Sequence, residues 1–356
     1  MKRLPNLDAL RFVLATLVLI YHLPQLCRNQ GLPYFNDLPI FNRGIEAVYM
    51  FFVLSGFLII RLIYQEKLNG IFSIKKFYMR RILRIFPLYY LIVFFGFIFY
   101  QVLLPILDIP FENNYNIVEG LLLCIFFFPN VLATLYSPGG ILEILWSIGI
   151  EEQFYLLIAP LMFFMKPKRI LLILVLLTVL YFGIFHANGF ELLRRYKFVY
   201  FFVFAGGVTA ILEVKNYLAF LKQSAFIPLL IVILTVVYFT TDLVQLDVDW
   251  IQNLVTSILF SLFIHTLAYN NHGIELKNKT INYFGTISYG IYMFHAIALN
   301  FMVFVFLKIK FVSNLTDSIV VLLINILTFA LTILLAHISY TYFESYFLKL
   351  KLKFRE

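Results

Sequence analysis

The chain has 356 residues, of which 62% are hydrophobic and 13% charged, and a formal net charge of +9. Soluble domains carry about 25% charged residues, so an ordinary water-soluble globule is excluded. The lack of low-complexity runs, of a Gly-X-Y period and of a charged heptad face also excludes disorder, collagen and coiled coil. At roughly 20 apolar residues per crossing, the pattern predicts an all-α, polytopic membrane helix bundle of about ten transmembrane helices. Two cysteines, Cys27 and Cys124, are too few for a disulfide framework or a Cys-rich metal site.

In chain order, the apolar runs fall at about 7–26, 44–64, 85–106, 141–165, 170–186, 197–212, 225–241, 251–268, 284–307 and 318–343. A further apolar stretch, 117–133, follows the third run. It is interrupted at Pro129-Asn130 and reads as a re-entrant dip, which protein or a watery cavity must satisfy. With that dip and a cytoplasmic N-terminus, nineteen basic residues lie in inside loops and seven in outside loops. The inside set includes Lys2, Arg3, Lys277 and Arg355; the outside set includes Arg28, Arg43, Lys197, Lys308 and Lys310. This asymmetry predicts that both termini are cytoplasmic. Orientation and anionic lipid headgroups account for the basic charge, so no nucleic-acid partner is needed. The first run is expected to remain as a span, because Leu23 to Cys27 lacks the small residues of a cleavage site.

Ionisable groups within spans mark candidate functional positions, since each costs roughly 3 kcal/mol to insert. The first span carries Arg11 and His22, which return to nearly one helix face about 16 Å apart along the axis. Snorkelling of Arg11 and an interfacial place for His22 are the plainer reading. In the second span, Ser55-Gly56 permits close approach of a helix or a ligand, and packing is the commoner use. Arg81 and Arg84 share a face at the start of the third span, where two guanidinium forks suit phosphate; a topogenic anchor explains their sign but not their pairing. The fourth span opens Trp146-Ser147 and carries Glu151 and Glu152. In the ninth, Ser288, Tyr292 and His295 form a polar stripe at i, i+4 and i+7. The six histidines, His265 and His272 among them, have no metal-ligand spacing, and no metal is expected.

Taken in order, these elements resemble the acyltransferase-3 family of integral membrane acyltransferases. The likeness rests on Arg11 with His22, Phe52-Val53-Leu54-Ser55-Gly56-Phe57, Arg81-x-x-Arg84 with Pro87 and Tyr89, Trp146-Ser147 with Glu151 and Phe154-Tyr155, and Ser288-Tyr289 with Tyr292 and His295. It covers essentially the whole chain: a membrane domain over 1–346 and a short basic cytoplasmic tail, 347–356. The family's tail often carries Glu-x-Pro, where this chain has Glu344 followed by Tyr346 in the proline's place. The resemblance implies ten helices, the re-entrant segment, and a stand-alone form without an esterase domain. It also implies transfer of an acyl group, usually acetyl from acetyl-CoA, to a hydroxyl of a cell-surface carbohydrate or glycolipid, in a bacterial plasma membrane.

On that basis His22 is the expected general base, because an imidazole titrates close to neutral pH. Glu151 would orient it, and Arg11 would hold donor phosphate or polarise the thioester carbonyl. Arg81 and Arg84, with Ser55 and Gly56, are expected on the donor, and Trp146, Ser147, Tyr292 and His295 on the acceptor. Direct attack and a transient acyl-His22 are both open. A transporter of polysaccharide or lipid-linked sugar is the competing class. It would explain a polar cavity, but it has no specific need for the paired arginines or for His22 with Glu151.

Overall fold

The computed structural model describes residues 6–112, 114–269, 278–309 and 314–354, together with residues 4, 276 and 312. Lys2, Arg3, His272, Lys277, Lys310 and Arg355 lie outside the described residues. Fourteen principal helices and no strand occur among the described residues. In chain order these are α1 (Leu7–Asn29), α2 (Gly44–Leu68), α3 (Ile74–Ile98), α4 (Ile117–Ile125), α5 (Pro129–Tyr136), α6 (Trp146–Phe164) and α7 (Pro167–His186). They are followed by α8 (Tyr200–Val214), α9 (Phe226–Thr240), α10 (Asp249–Tyr269), α11 (Lys279–Thr286), α12 (Ser288–Lys308), α13 (Asp317–Ile338) and α14 (Ser345–Lys351).

Among the described residues, seven helical segments are long and apolar enough to cross a membrane, and α8 and α9 are shorter apolar helices of 15 residues each. Large apolar side chains such as Phe94, Leu157, Phe164, Val179 and Leu322 stand exposed, a surface that lipid rather than water covers. The stretch after the third span is two short helices. α4 has nine residues and α5 eight, far fewer than the roughly 20 a crossing needs. Between them Phe127 has a φ of +61°, outside the helical region, and Pro129 starts α5 where its missing N–H costs nothing.

Several boundaries differ from the hydropathy reading. α3 begins at Ile74, because the Ser73 side chain accepts from the Lys76 N–H and caps the helix. Arg81 and Arg84 are therefore well inside a helix rather than at its mouth. The ninth apolar run is divided at Ile287 into α11 and α12. The last run passes through a π-turn, Ser339–Glu344, and continues as α14, since Tyr346 puts no proline in its way.

The chain forms two compact units. Unit 1 comprises Met1–Leu62, Leu171–Val179 and Phe201–His337; unit 2 comprises Ile63–Ile170, Leu180–Tyr200 and Ile338–Glu356. In unit 1, α2 and α8 meet at backbone distance. A Cβ on Gly56 would strike the Val203 carbonyl, and one on Gly206 would strike the Val53 carbonyl. Cys27 packs with Leu299, Met302 and Phe306 in an apolar cluster of the same unit, and Cys27 and Cys124 are both free thiols.

Candidate functional site

In unit 1 the structure brings together two of the histidines. The rings of His22 on α1 and His295 on α12 are stacked, with centroids 5.5 Å apart and planes at 26°. Tyr21 meets His22 edge-on at 5.0 Å, and Tyr292 lies 5.6 Å from His295. Two residues beyond His22, Pro24 has no N–H to offer the preceding turn of α1, which leaves the backbone there a carbonyl to satisfy elsewhere.

His295 is completely buried, and its Nδ1 lies 2.5 Å from the Tyr292 carbonyl oxygen. A carbonyl can only accept, so Nδ1 carries the hydrogen and Nε2 carries the lone pair. That Nε2 is buried with no hydrogen-bond partner among the described residues. His22 keeps part of its surface exposed. The pair therefore offers one accessible imidazole and one orientationally fixed lone pair, the equipment for accepting a proton and a hydrogen bond from a hydroxyl.

The other candidates of unit 1 are placed differently. Arg11 donates to Asp8 at 2.7 Å, a local i, i+3 ion pair in the first turns of α1. Beside Ser55, the approach to Gly56 is filled by Val203, so this glycine serves helix packing and has no room for a donor.

In unit 2, Arg81 lies over the rings of Phe77 and Tyr155, at 5.9 and 5.8 Å, with its Nε buried and without a hydrogen-bond partner among the described residues. The Tyr155 hydroxyl donates to Glu151 at 3.0 Å. Glu151 thus holds the ring on which Arg81 rests, a contact the sequence reading did not anticipate. Its neighbour Glu152 is buried, with Oε1 lacking a hydrogen-bond partner among the described residues. Arg84 is in electrostatic range of both Arg81 and Glu344. Trp146 is covered by the Lys197 ammonium, 4.6 Å from a ring centroid, and the Ser147 hydroxyl donates to the Ile144 carbonyl at 3.4 Å. Gln153, one position past Glu152, ties the α4–α5 break together. Its Nε2 donates to the Phe127 carbonyl at 2.6 Å and to Asn130 Oδ1 at 2.9 Å, and its Oε1 accepts from Tyr200 at 2.7 Å.

Two polar groups of unit 1 escaped the sequence reading. Glu213 at the end of α8 pairs with Lys222 through one oxygen and with His265 Nε2 through the other, at 2.7 Å. Arg43, counted only as a loop charge, is buried and donates to Asp242 at 2.6 Å and to the Thr241 carbonyl at 3.0 Å. A carboxylate beside a span end was the available signal in both cases. Among the described residues no group of three His, Cys, Asp or Glu side chains could hold a metal ion.

A family model described as an acyltransferase domain matches residues 4–337. A protein of Acidianus two-tailed virus named as an acetyltransferase is 28% identical over 82% of this chain and 82% of its own length. The peptidoglycan O-acetyltransferase OatA of Listeria monocytogenes is 28% identical over 83% of this chain, which spans 49% of that protein. A Staphylococcus aureus protein named as an O-acetyltransferase is 26% identical over 98% of this chain, which spans 58% of it. No solved structure matches the chain.

Proposed function

Since the chain belongs to the acyltransferase-3 family and is a multi-pass membrane acyltransferase, we propose that it takes acetyl from acetyl-CoA on the cytoplasmic side and delivers it to a hydroxyl of a cell-surface carbohydrate. The single observation that carries this reading is the His22–His295 stack, with one imidazole accessible and the other pinned by Tyr292. The named activity of the Listeria relative supports a carbohydrate acceptor. The excess of basic residues in the inside loops supports a plasma-membrane protein with cytoplasmic termini.

In the proposed reaction His22 removes the proton of the acceptor hydroxyl as its oxygen attacks the thioester carbonyl carbon. The carbon–sulfur bond then breaks, and the proton passes to the departing CoA thiolate. His295 Nε2 accepts a hydrogen bond from the acceptor and orients it. A second positive charge on the stacked rings is opposed by the first, so the pair handles one proton per turnover. Arg81 and Arg84 suit the phosphates of the donor: guanidinium forks bind them bidentately, and the Phe77 and Tyr155 faces fix the fork of Arg81.

The test is label transfer. Reconstituted protein incubated with radiolabelled acetyl-CoA and an envelope glycan extract should label the glycan. His22→Ala should fold normally and lower that transfer at least about 100-fold, the usual contribution of a general base. Absence of label in glycan and protein from folded wild type, with other acyl-CoAs also tried, would overturn the reading and favour a transporter.

A further inference from the structure

Close to His22 in unit 1 there is a carboxylate that the reaction above does not use. Gly44 opens α2 directly against the Tyr21 ring, where a Cβ would collide with it, and Tyr21 is the residue packed edge-on to His22. Glu46 and Tyr49 follow in the first two turns of α2, at i and i+3, and so share a face. The Tyr49 ring stacks on Phe202 with centroids 4.5 Å apart, and its phenol is in electrostatic range of Glu46, Tyr238 and Tyr21. Tyr21, Glu46 and Tyr49 each keep part of their surface exposed although they belong to packed helices.

Glu46 is poorly satisfied by the protein. Its nearest cation is Arg43, whose Nη1 is 3.5 Å from Oε1, but Arg43 spends its short bonds on Asp242 and Thr241. Glu46 Oε2 is buried with no hydrogen-bond partner among the described residues. A carboxylate oxygen left dry and unbonded in a helix bundle is costly, and native proteins keep such groups where a donor arrives from outside. The donor that fits is a neutral hydroxyl. Arg43 already lies within ion-pair distance of Oε1, so what the buried Oε2 lacks is a hydrogen-bond donor, and an O–H supplies one without adding charge. The Tyr49 ring, backed by the buried Phe202 and partly exposed itself, suits the C–H surface of a polyhydroxylated ring.

We infer that Glu46, with Tyr49, forms a hydroxyl-binding subsite that positions the acceptor sugar beside the Tyr21–His22 corner. The inference rests on the acyltransferase reading. Glu46 accepts hydrogen bonds from hydroxyls next to the one acylated; it takes no proton from the reacting oxygen, and it is a positioning residue.

The experiment measures acetyl transfer to the envelope glycan extract at graded glycan concentrations, for wild type, Glu46→Gln, Tyr49→Phe and Asp242→Asn. Glu46→Gln should raise the half-saturating glycan concentration about tenfold, as loss of a charge-assisted hydrogen bond does, with maximal rate within twofold and acetyl-CoA half-saturation unchanged. Tyr49→Phe should raise it about threefold, and it reads the same subsite should Glu46→Gln fail to fold. Asp242→Asn should leave glycan half-saturation unchanged. If Glu46 merely served Arg43, Asp242→Asn would match or exceed Glu46→Gln, and the inference would fall. Unchanged glycan half-saturation in folded Glu46→Gln and Tyr49→Phe, with wild type active, would overturn it alone. No transfer by wild type would overturn the acyltransferase reading and this inference together.

Discussion

Two polar clusters, the Gln153 staple of unit 2 and the His22–His295 stack of unit 1, are built on opposite terms. In unit 2, Gln153 uses its amide nitrogen and oxygen to hold Phe127, Asn130 and Tyr200, and the Asn130 amide goes on to donate to the Tyr196 carbonyl at 2.9 Å. In unit 1, the His22–His295 stack leaves His295 Nε2 with no hydrogen-bond partner among the described residues. Met hydrogen-bonding capacity marks architecture, here the staple that lets the chain turn between two half-length helices. Unmet capacity, held rigidly, marks a place where another molecule completes the network.

The comparison breaks if the two clusters respond alike to substitution. The largest effect is expected from His295→Phe, which keeps ring area and stacking but removes the Nε2 lone pair. Acetyl transfer should fall about 100-fold while the melting temperature stays near that of wild type; a variant that transfers normally would reduce His295 to core packing. Gln153→Leu should do the reverse. It strands the Asn130 oxygen and the Tyr200 hydroxyl, and should cost about 2 kcal/mol of stability, read by thermal or denaturant unfolding in detergent, while transfer per folded molecule stays within about threefold. The smallest effect comes from Arg81→Lys, which keeps the charge but loses the fork that lies on Phe77 and Tyr155. Half-saturating acetyl-CoA should rise about tenfold with little change in maximal rate, and an unchanged value would remove Arg81 from the donor site.

Much of the helical layout was legible because the bilayer imposes it: a crossing must be long and apolar, and Pro129 announces a break wherever it sits. The division of the ninth run at Ile287 was not legible, since both halves are apolar and helical. His22 stood out as an ionisable group in an apolar run. His295 stood out too, in the polar stripe of the ninth run, but the pairing of the two did not, because helix periodicity relates only residues a few positions apart and His295 reaches His22 through tertiary packing alone. Charge counting had the same blindness. It treated Arg43 and Lys222 as markers of sidedness, while the fold seats each on a carboxylate, Asp242 and Glu213. Glu151 was read as a partner for His22, and the structure shows its bond to Tyr155, a residue one turn along the same helix.

The reciprocal notches at Gly56 and Gly206 have a mechanical consequence. Each helix seats a carbonyl of the other in the gap left by a missing side chain, so neither can slide along its neighbour without first lifting out of register. α2 and α8 therefore act as a single beam. Whatever rocking admits or releases a substrate must carry Tyr49 and Phe202 together, and the stacked pair keeps its spacing through the stroke.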